Sequence, residues 1–147
     1  MPRLVVVDTS VQLSGLVLSK HPTSPGREIL ARGFARHFDF AVSEALIAEI
    51  ARKLVEKGVD LRLVVDHIER LRFVGVAFED VDPSGFECDD PDDLFIVALA
   101  STAAAWCVVS HDAALIRAER VPPGWSVGEF LGHLREERGE APKTTFP

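Results

Sequence analysis

Short apolar runs rich in β-branched residues alternate with helical patterns along this chain, and that alternation limits the folds open to it. Residues 4–7, 38–42 and 106–110 are predicted strands of this kind. Apolar residues at helical spacing fill much of the chain between them. Strands that alternate with helices predict an α/β fold, here a three-layer α/β/α domain with a central, mostly parallel sheet.

Capping residues mark where several helices begin. Ser24, Ser43 and Asp60 are predicted N-caps. The predicted helices cover residues 11–18, 25–37, 44–57, 61–72, 91–104, about 112–119 and 127–138. Residues 74–81 alternate like an edge strand, and residues 121–124 form a predicted loop.

The length of 147 residues suits one domain, which we expect over residues 1–138, followed by a flexible tail at 139–147. Cys88 and Cys107 stand singly, without the spacing of a zinc site or of a disulfide framework. We therefore expect reduced thiols in a cytoplasmic protein. No apolar run approaches the roughly 20 residues that span a bilayer, so no membrane partner is expected.

Acidic residues recur where predicted strands end or predicted helices begin. Asp8 directly follows the first strand, and Asp112 follows the strand at 106–110. Because the carboxyl ends of parallel strands meet at one edge of a sheet, both are expected there. Glu49 borders the apolar stripe of its helix, and Asp93 lies one turn before the expected buried positions of the helix at 91–104. Carboxylates gathered in one crevice repel one another, so the pattern points to a divalent cation.

Each of these residues also has a simpler explanation when it is taken alone. Asp8 and Asp112 could be helix N-caps, and Glu49 could be a solvated helix charge. The segment Asp89-Asp90-Pro91-Asp92-Asp93 holds four carboxylates, more than one cap and one helix-dipole partner require. Within that segment, Asp93 is the candidate ligand and Asp90 the expected cap.

The order of these motifs resembles that of the PIN-domain family. Val7-Asp8-Thr9-Ser10 resembles the first motif of the family, and the helix from Ser43 to Ile50 resembles the second. The acidic turn at 89–93, which leads into residues 94–100, resembles the third motif. Residues 108–112 resemble the fourth. The resemblance covers about residues 4–132.

Membership of this family implies a metal-dependent ribonuclease, such as the VapC-like toxins of toxin–antitoxin pairs. The implied catalytic and metal-binding residues are Asp8, Glu49, Asp93 and Asp112. They would hold one or two Mg²⁺ or Mn²⁺ ions, while Thr9 and Ser10 would position water or phosphate. The implied partners are an RNA substrate, a small antitoxin protein and a second copy of the chain, giving a homodimer.

The net charge of −7 argues against broad electrostatic binding of nucleic acid. A local basic rim can still hold a polyanion beside the metal, and five cations lie on or near the segments that should flank the pocket. They are Arg27, Arg32, Arg36, Arg52 and Lys53.

Two departures from the family pattern leave an alternative open. Ser10 stands where the family commonly has Asn, and Ala114 stands where many relatives carry a further acid. A catalytically inactive PIN-like module that binds RNA or protein is therefore the alternative. A receiver-like phosphoryl-transfer domain is disfavoured, because such domains usually need a lysine at a later strand end, where this chain has His111 and Asp112.

Overall fold

A computed structural model describes residues 3–17, 24–88 and 90–141. In these residues, five parallel strands form one sheet in the order β3-β2-β1-β4-β5. The strands are β1 Leu4–Val7, β2 Asp39–Val42, β3 Val76–Ala77, β4 Cys107–Val109 and β5 Gly124–Trp125. The helices that flank them are α1 Thr9–Leu16, α2 Pro25–Phe34, α3 Glu44–Glu56, α4 Leu61–Val74, α5 Leu94–Thr102 and α6 Val127–Glu137. The predicted three-layer α/β/α fold is confirmed.

Side-chain caps set the starts of several helices, as predicted. The hydroxyl of Ser24 accepts from Arg27 N, and that of Ser43 accepts from Leu46 N. The carboxylate of Asp60 caps α4. Such caps satisfy N–H groups that the first helical turn leaves without partners. The short 3₁₀ turns Pro83–Gly85 and Pro91–Asp93 precede α5.

The core forms around the central strand. Val5, Val6 and Val7 are almost fully buried, as expected for a strand covered on both faces. Phe38 makes edge-on contacts with Phe40 and Phe130 at centroid distances of 5.1 and 5.2 Å, which ties β2 to α6. This packing fixes the sheet whose edge carries the acidic residues.

The segment after β4 differs from its predicted structure. The helix expected at about 112–119 is wrong, because turns occupy that stretch. The chain instead returns to the sheet, and Gly124 N donates to Arg117 O at 2.9 Å. The loop predicted at 121–124 ends in β5, a strand of two residues that is too short to show a periodicity. The edge strand predicted at 74–81 does lie at the edge of the sheet, but only the two residues of β3 form a strand.

Parts of two predictions lie outside the described residues: the end of the helix expected at 11–18, and most of the tail expected at 139–147. The described start of that tail is held to the domain by ion pairs. Glu140 accepts from both terminal nitrogens of Arg32, at 2.9 and 2.7 Å. Gly139 takes a φ of +68°, which lets the chain turn back after α6.

Candidate metal centre

Asp8 lies where β1 ends, beside the end of β4. The register pairs Val7 with Val109, and Asp8 N donates to Val109 O at 2.9 Å. The buried Asp8 carboxylate accepts hydrogen bonds on Oδ2 from Ser10 Oγ at 2.9 Å and from Ser110 Oγ at 2.8 Å. Two hydroxyl groups therefore fix the orientation of this carboxylate.

Helix capping accounts for only some of the acidic residues. Asp8 and Asp93 occupy N-cap positions of α1 and α5, but neither side chain makes a capping hydrogen bond. Asp90 accepts from Asp92 N at 3.0 Å, so it is the cap that the sequence predicts. Asp112 Oδ1 accepts from Ala114 N at 2.9 Å, which stabilises a turn. Asp8 and Asp93 are thus left without a capping role.

Three carboxylates converge next to Asp8. Asp90, Asp93 and Asp112 each offer one oxygen, and these three atoms lie within 4.8 Å of one another. Asp93 Oδ2 is buried and has no hydrogen-bond partner among the described residues. Because a buried, unpartnered carboxylate oxygen is unfavourable, this cluster is suited to a cation. The three residues could bind one metal ion.

Repulsion within the cluster is reflected in a raised pKa of Asp93. Burial raises the pKa of this carboxyl, and the nearby Asp112 raises it further because protonated Asp93 can donate a hydrogen bond to that carboxylate. The negative charges of Asp112, Asp8 and Asp90 add to the effect, and the pKa of Asp93 reaches about 7. Near pH 7 the metal-free Asp93 carboxyl is therefore protonated about half of the time, in the place where a bound cation would supply the positive charge.

An open cavity of about 750 Å³ adjoins these residues. It is lined by Asp8, Thr9, Ser10, Leu13, Ala45, Glu49, Arg52, Lys53, Lys57, Asp92, Asp93 and Phe95. Of the five cations predicted for a basic rim, Arg52 and Lys53 line it, and Lys57 joins them. Arg32 instead binds Glu28 and Glu140.

Glu49 reaches this cavity from α3, but it is outside the carboxylate cluster. The side chain is about a quarter exposed, and both of its oxygens accept from Arg52 Nη2, at 3.0 and 2.9 Å. The structure therefore brings Glu49 to the cavity of Asp8 and Asp93, with its carboxylate paired to a guanidinium group.

The residues after Asp8 serve the site in different ways. Thr9 Oγ1 is buried and has no hydrogen-bond partner within the described ranges. Ser10 Oγ donates to Asp8 and accepts from His111 N at 3.1 Å, so it links the ends of β1 and β4. The Thr9 hydroxyl is therefore available to a ligand, whereas the Ser10 hydroxyl is engaged in linking the two strand ends.

Two residues of the site are missing from the sequence-based set. Asp90 is predicted only as a cap, although one carboxylate can both cap a turn and approach a neighbour. Ser110 binds Asp8 and also accepts from Asp112 N at 2.9 Å. Its signal is its position, since it directly follows a buried strand, as Asp8 does. Asp89, in the same acidic turn, lies outside the described residues.

The fold and the site together define a class of protein. It is an α/β domain whose carboxylates, at the carboxyl edge of a parallel sheet, are suited to binding a divalent metal ion. The family model for the PIN domain matches residues 4–114. The chain therefore belongs to the PIN-domain family. PIN domains are generally metal-dependent nucleases.

A solved structure with the same fold accompanies this family match. The crystal structure of PAE2754 from Pyrobaculum aerophilum is similar, with a TM-score of 0.60 and 14% sequence identity. The match covers 92% of this chain and 90% of that chain. At this identity the likeness concerns the fold alone. No curated protein matches the sequence significantly.

The donor atoms at this edge fit the metal ions on which the family relies. Asp93 Oδ2 and Thr9 Oγ1 are both buried oxygens without hydrogen-bond partners among the described residues. Hard oxygen donors are the ligands that Mg²⁺ and Mn²⁺ prefer. None of the helices in the described residues has the length and hydropathy of a membrane span.

Proposed function

We propose that this protein is a Mg²⁺- or Mn²⁺-dependent endoribonuclease that hydrolyses RNA phosphodiester bonds. The observation that carries the proposal is the convergence of Asp90, Asp93 and Asp112 around a buried oxygen of Asp93 that has no partner among the described residues. Membership of the PIN-domain family supports nuclease chemistry at that place. The proposed catalytic and metal-binding residues are Asp8, Glu49, Asp93 and Asp112, to which the geometry adds Asp90.

The bound ion would lower the pKa of a water molecule and offset negative charge on the phosphodiester. Asp93 is the central ligand in this proposal, since its buried Oδ2 has no hydrogen-bond partner among the described residues and faces two other carboxylates. Asp8 contributes a carboxylate that Ser10 and Ser110 orient. Thr9 offers its unpartnered hydroxyl to water or phosphate.

Glu49 has a conditional role in the proposal. Its carboxylate lines the cavity but is bound by Arg52 in an exposed ion pair. Exposed ion pairs are weak, typically about 0–1 kcal/mol, so an ion in the cavity can compete for the carboxylate. Glu49 would then complete the ligand set, and Arg52 would be released toward the phosphate backbone.

RNA is the proposed substrate, although the chain carries a net charge of −7. Arg52, Lys53 and Lys57 line the cavity beside the acidic residues and supply a local basic rim. Cations of this kind position the nucleic-acid backbone without reading its sequence. We therefore expect binding that is confined to this rim and is sensitive to salt.

We further propose that the protein is the toxin of a toxin–antitoxin pair, with a small antitoxin as partner and a tendency to form a homodimer. Large apolar side chains on α4 support a protein partner: Leu61, Leu63, Val65 and Phe73 are all more than half exposed. A cytoplasmic location is supported by the two unpaired cysteines, Cys88 and Cys107, because disulfides are typical of oxidising compartments.

A catalytically inactive PIN-like module that binds RNA or protein is the alternative. Two observations favour it: the Ser10 hydroxyl is already engaged with Asp8 and His111, and Ala114 brings no carboxylate to the cluster. In this reading the cavity holds a cation and a phosphate without hydrolysis.

Cleavage of a labelled single-stranded RNA in Mn²⁺ tests the proposal, with wild type compared with Asp93→Asn. Asp66→Asn, on the exposed side of α4, is the matched control. We expect wild type and Asp66→Asn to cleave, and Asp93→Asn to fold normally and lose cleavage. No cleavage by wild type, together with no rise in its melting temperature on adding Mn²⁺, would refute the proposal. A rise without cleavage would favour the binding module.

A further inference from the structure

A second cavity of about 560 Å³ lies against the one that holds the acidic residues. It is lined by Ser10, Leu13, Ser14, Val17, Lys57 and His111. Ser10, Leu13 and Lys57 line both cavities, so the two share a wall immediately beyond Asp8. The volume is within the range of roughly 300–1,000 Å³ that is common for small-molecule sites.

The surface of this second cavity is largely apolar. Leu13 and Val17 are four residues apart along α1, so their side chains follow one another on the same side of the helix. Both are partly buried and pack against the hydrophobic core. The aliphatic stem of Lys57 can extend this surface while its ammonium group stays in water. A flat, weakly polar group would be desolvated here at little cost.

A polar edge is provided by His111 and Ser14. Ser14 Oγ donates to Val11 O at 3.0 Å and lies 3.0 Å from His111 Nε2. The contact with Ser14 fixes the position of the imidazole ring beside the cavity. His111 Nδ1 has no hydrogen-bond partner among the described residues. This exposed imidazole offers both a free ring nitrogen and a stacking face.

Lys57 places a positive charge at the junction of the two cavities. It follows the last turn of α3, and no acidic residue in the described part of the chain forms an ion pair with it. Lys53, one turn earlier, lies 3.7 Å from Glu56. Lys57 is therefore free to bind a phosphate group between the cavities.

We propose that this second cavity binds an unpaired nucleobase of the RNA, next to the phosphodiester that lies in the acidic cavity. The inference rests on the proposed function, and it adds to that site a subsite for one base beside the cleaved bond. Leu13 and Val17 contact the face of the base, His111 Nδ1 forms a hydrogen bond with its edge, and Lys57 binds the adjoining phosphate. A base in a duplex cannot enter, because its faces are covered by its neighbours.

Equilibrium binding of a short labelled single-stranded RNA tests this inference apart from catalysis. Fluorescence anisotropy is recorded in Ca²⁺, with a gel to verify that the RNA stays intact, and cleavage is mapped separately in Mn²⁺. The probes are the intact oligonucleotide and a series in which each position in turn is abasic. The variants are His111→Ala, Lys57→Gln and Leu13→Asn, with exposed His133→Ala on α6 as the control.

We expect the three variants to bind the intact RNA roughly ten-fold more weakly than wild type and His133→Ala do. One abasic position should weaken wild-type binding to a similar degree. That position should cause little further loss in Leu13→Asn, because the base and the side chain share one contact. His111→Ala, at an exposed position, keeps the test valid if Leu13→Asn fails to fold.

The inference is overturned if no abasic position weakens binding, if His111→Ala binds like wild type, or if wild type does not bind the RNA. If wild type cleaves the RNA but binds every abasic oligonucleotide as tightly as the intact one, the base site is refuted and the proposed nuclease activity stands. The expected binding pattern without cleavage in Mn²⁺ refutes the nuclease and supports the base site.

Discussion

Ser110 Oγ donates a hydrogen bond of 2.8 Å to Asp8 Oδ2, and in the same position it accepts one of 2.9 Å from Asp112 N. A single buried hydroxyl therefore joins the end of β1 to the turn that carries another acidic residue. The spacing of the carboxylates depends on this hydroxyl as well as on the sheet.

Replacing Ser110 with Ala should destabilise the protein by about 1–3 kcal/mol, because the buried Asp8 carboxylate loses one of its two donors and the Asp112 N–H loses its acceptor. The affinity for Mn²⁺ should fall several-fold, since Asp8 and Asp112 lose a common anchor. Urea denaturation and calorimetric titration with Mn²⁺ measure the two effects. Ser101→Ala, at an exposed site on α5, is the control and should change neither. A normal Mn²⁺ affinity in Ser110→Ala would show that the anchor is dispensable.

Asp93→Asn should stabilise the metal-free protein at high pH. The pKa of Asp93 is about 7 in the folded protein, above its ordinary 3.8, so the folded state binds more protons between these values. Stability is thus lost as pH rises through this window, and Asn escapes the loss. We expect a gain of about 1–2 kcal/mol at pH 8 after allowance for solvent screening, and almost none near pH 4.

Urea denaturation of both proteins in chelator at the two pH values measures this difference. Saturating Mn²⁺ at pH 8 should reverse the order, because the ion stabilises only a protein that binds it. Equal stability of the two metal-free proteins at pH 8 would mean that the cluster carries little electrostatic cost.

Arg52→Gln should strengthen Mn²⁺ binding about two- to five-fold, because it frees the Glu49 carboxylate from an exposed ion pair. The double variant with Glu49→Gln should show no such gain. Titration with Mn²⁺ of the four proteins forms a double-mutant cycle. Arg62→Gln on α4 is the control for a lost positive charge. If Arg52→Gln binds no more tightly than this control, Glu49 is not a ligand.

His67 should make the fold sensitive to acid. It is buried, and its Nε2 lies 2.8 Å from Gln12 Oε1. Burial lowers the pKa of His67 from its ordinary 6.5 to about 4. Between these values the unfolded chain binds the extra proton, so stability falls as pH drops from 6.5 toward 4, by about 2–3 kcal/mol.

The variant His67→Gln keeps a hydrogen-bond donor for Gln12 but cannot titrate. Its free energy of unfolding should therefore depend less on pH over this interval than that of wild type. Denaturant melts at closely spaced pH values compare the two slopes. Parallel curves would assign the acid sensitivity to other groups.

Gly124→Ala should destabilise the protein by about 3 kcal/mol or more, because the added Cβ would overlap the carbonyl oxygen of Leu115. This overlap would strain the backbone where the chain enters β5. Gly132→Ala is the matched control, since a Cβ at that exposed helical position meets no atom within 4 Å. It should stabilise α6 by up to about 1 kcal/mol. Thermal melts distinguish the two, and equal melting temperatures would contradict the packing of β5.

The stronger elements of the fold could be predicted because their signals are local. The buried strand at Leu4–Val7 and the capped helix Glu44–Glu56 need only short-range patterns to be recognised. The placement of Asp8 and Asp112 at one edge of the sheet could also be predicted, since parallel strands bring their carboxyl ends together. The pattern at 112–119 predicts a helix, but tertiary contacts with Gly124 decided otherwise.

By itself, the sequence determined the α/β class, the edge of the sheet that carries the chemistry, and Asp8, Glu49, Asp93 and Asp112 as its candidates. Only the tertiary structure decided which carboxylates come within reach of one another. It placed Asp90 in the cluster and left Glu49 paired with Arg52. The physical reason is that repulsion, burial and hydrogen bonding between carboxylates act over a few ångströms between residues far apart in the chain, and a one-dimensional pattern does not contain those distances.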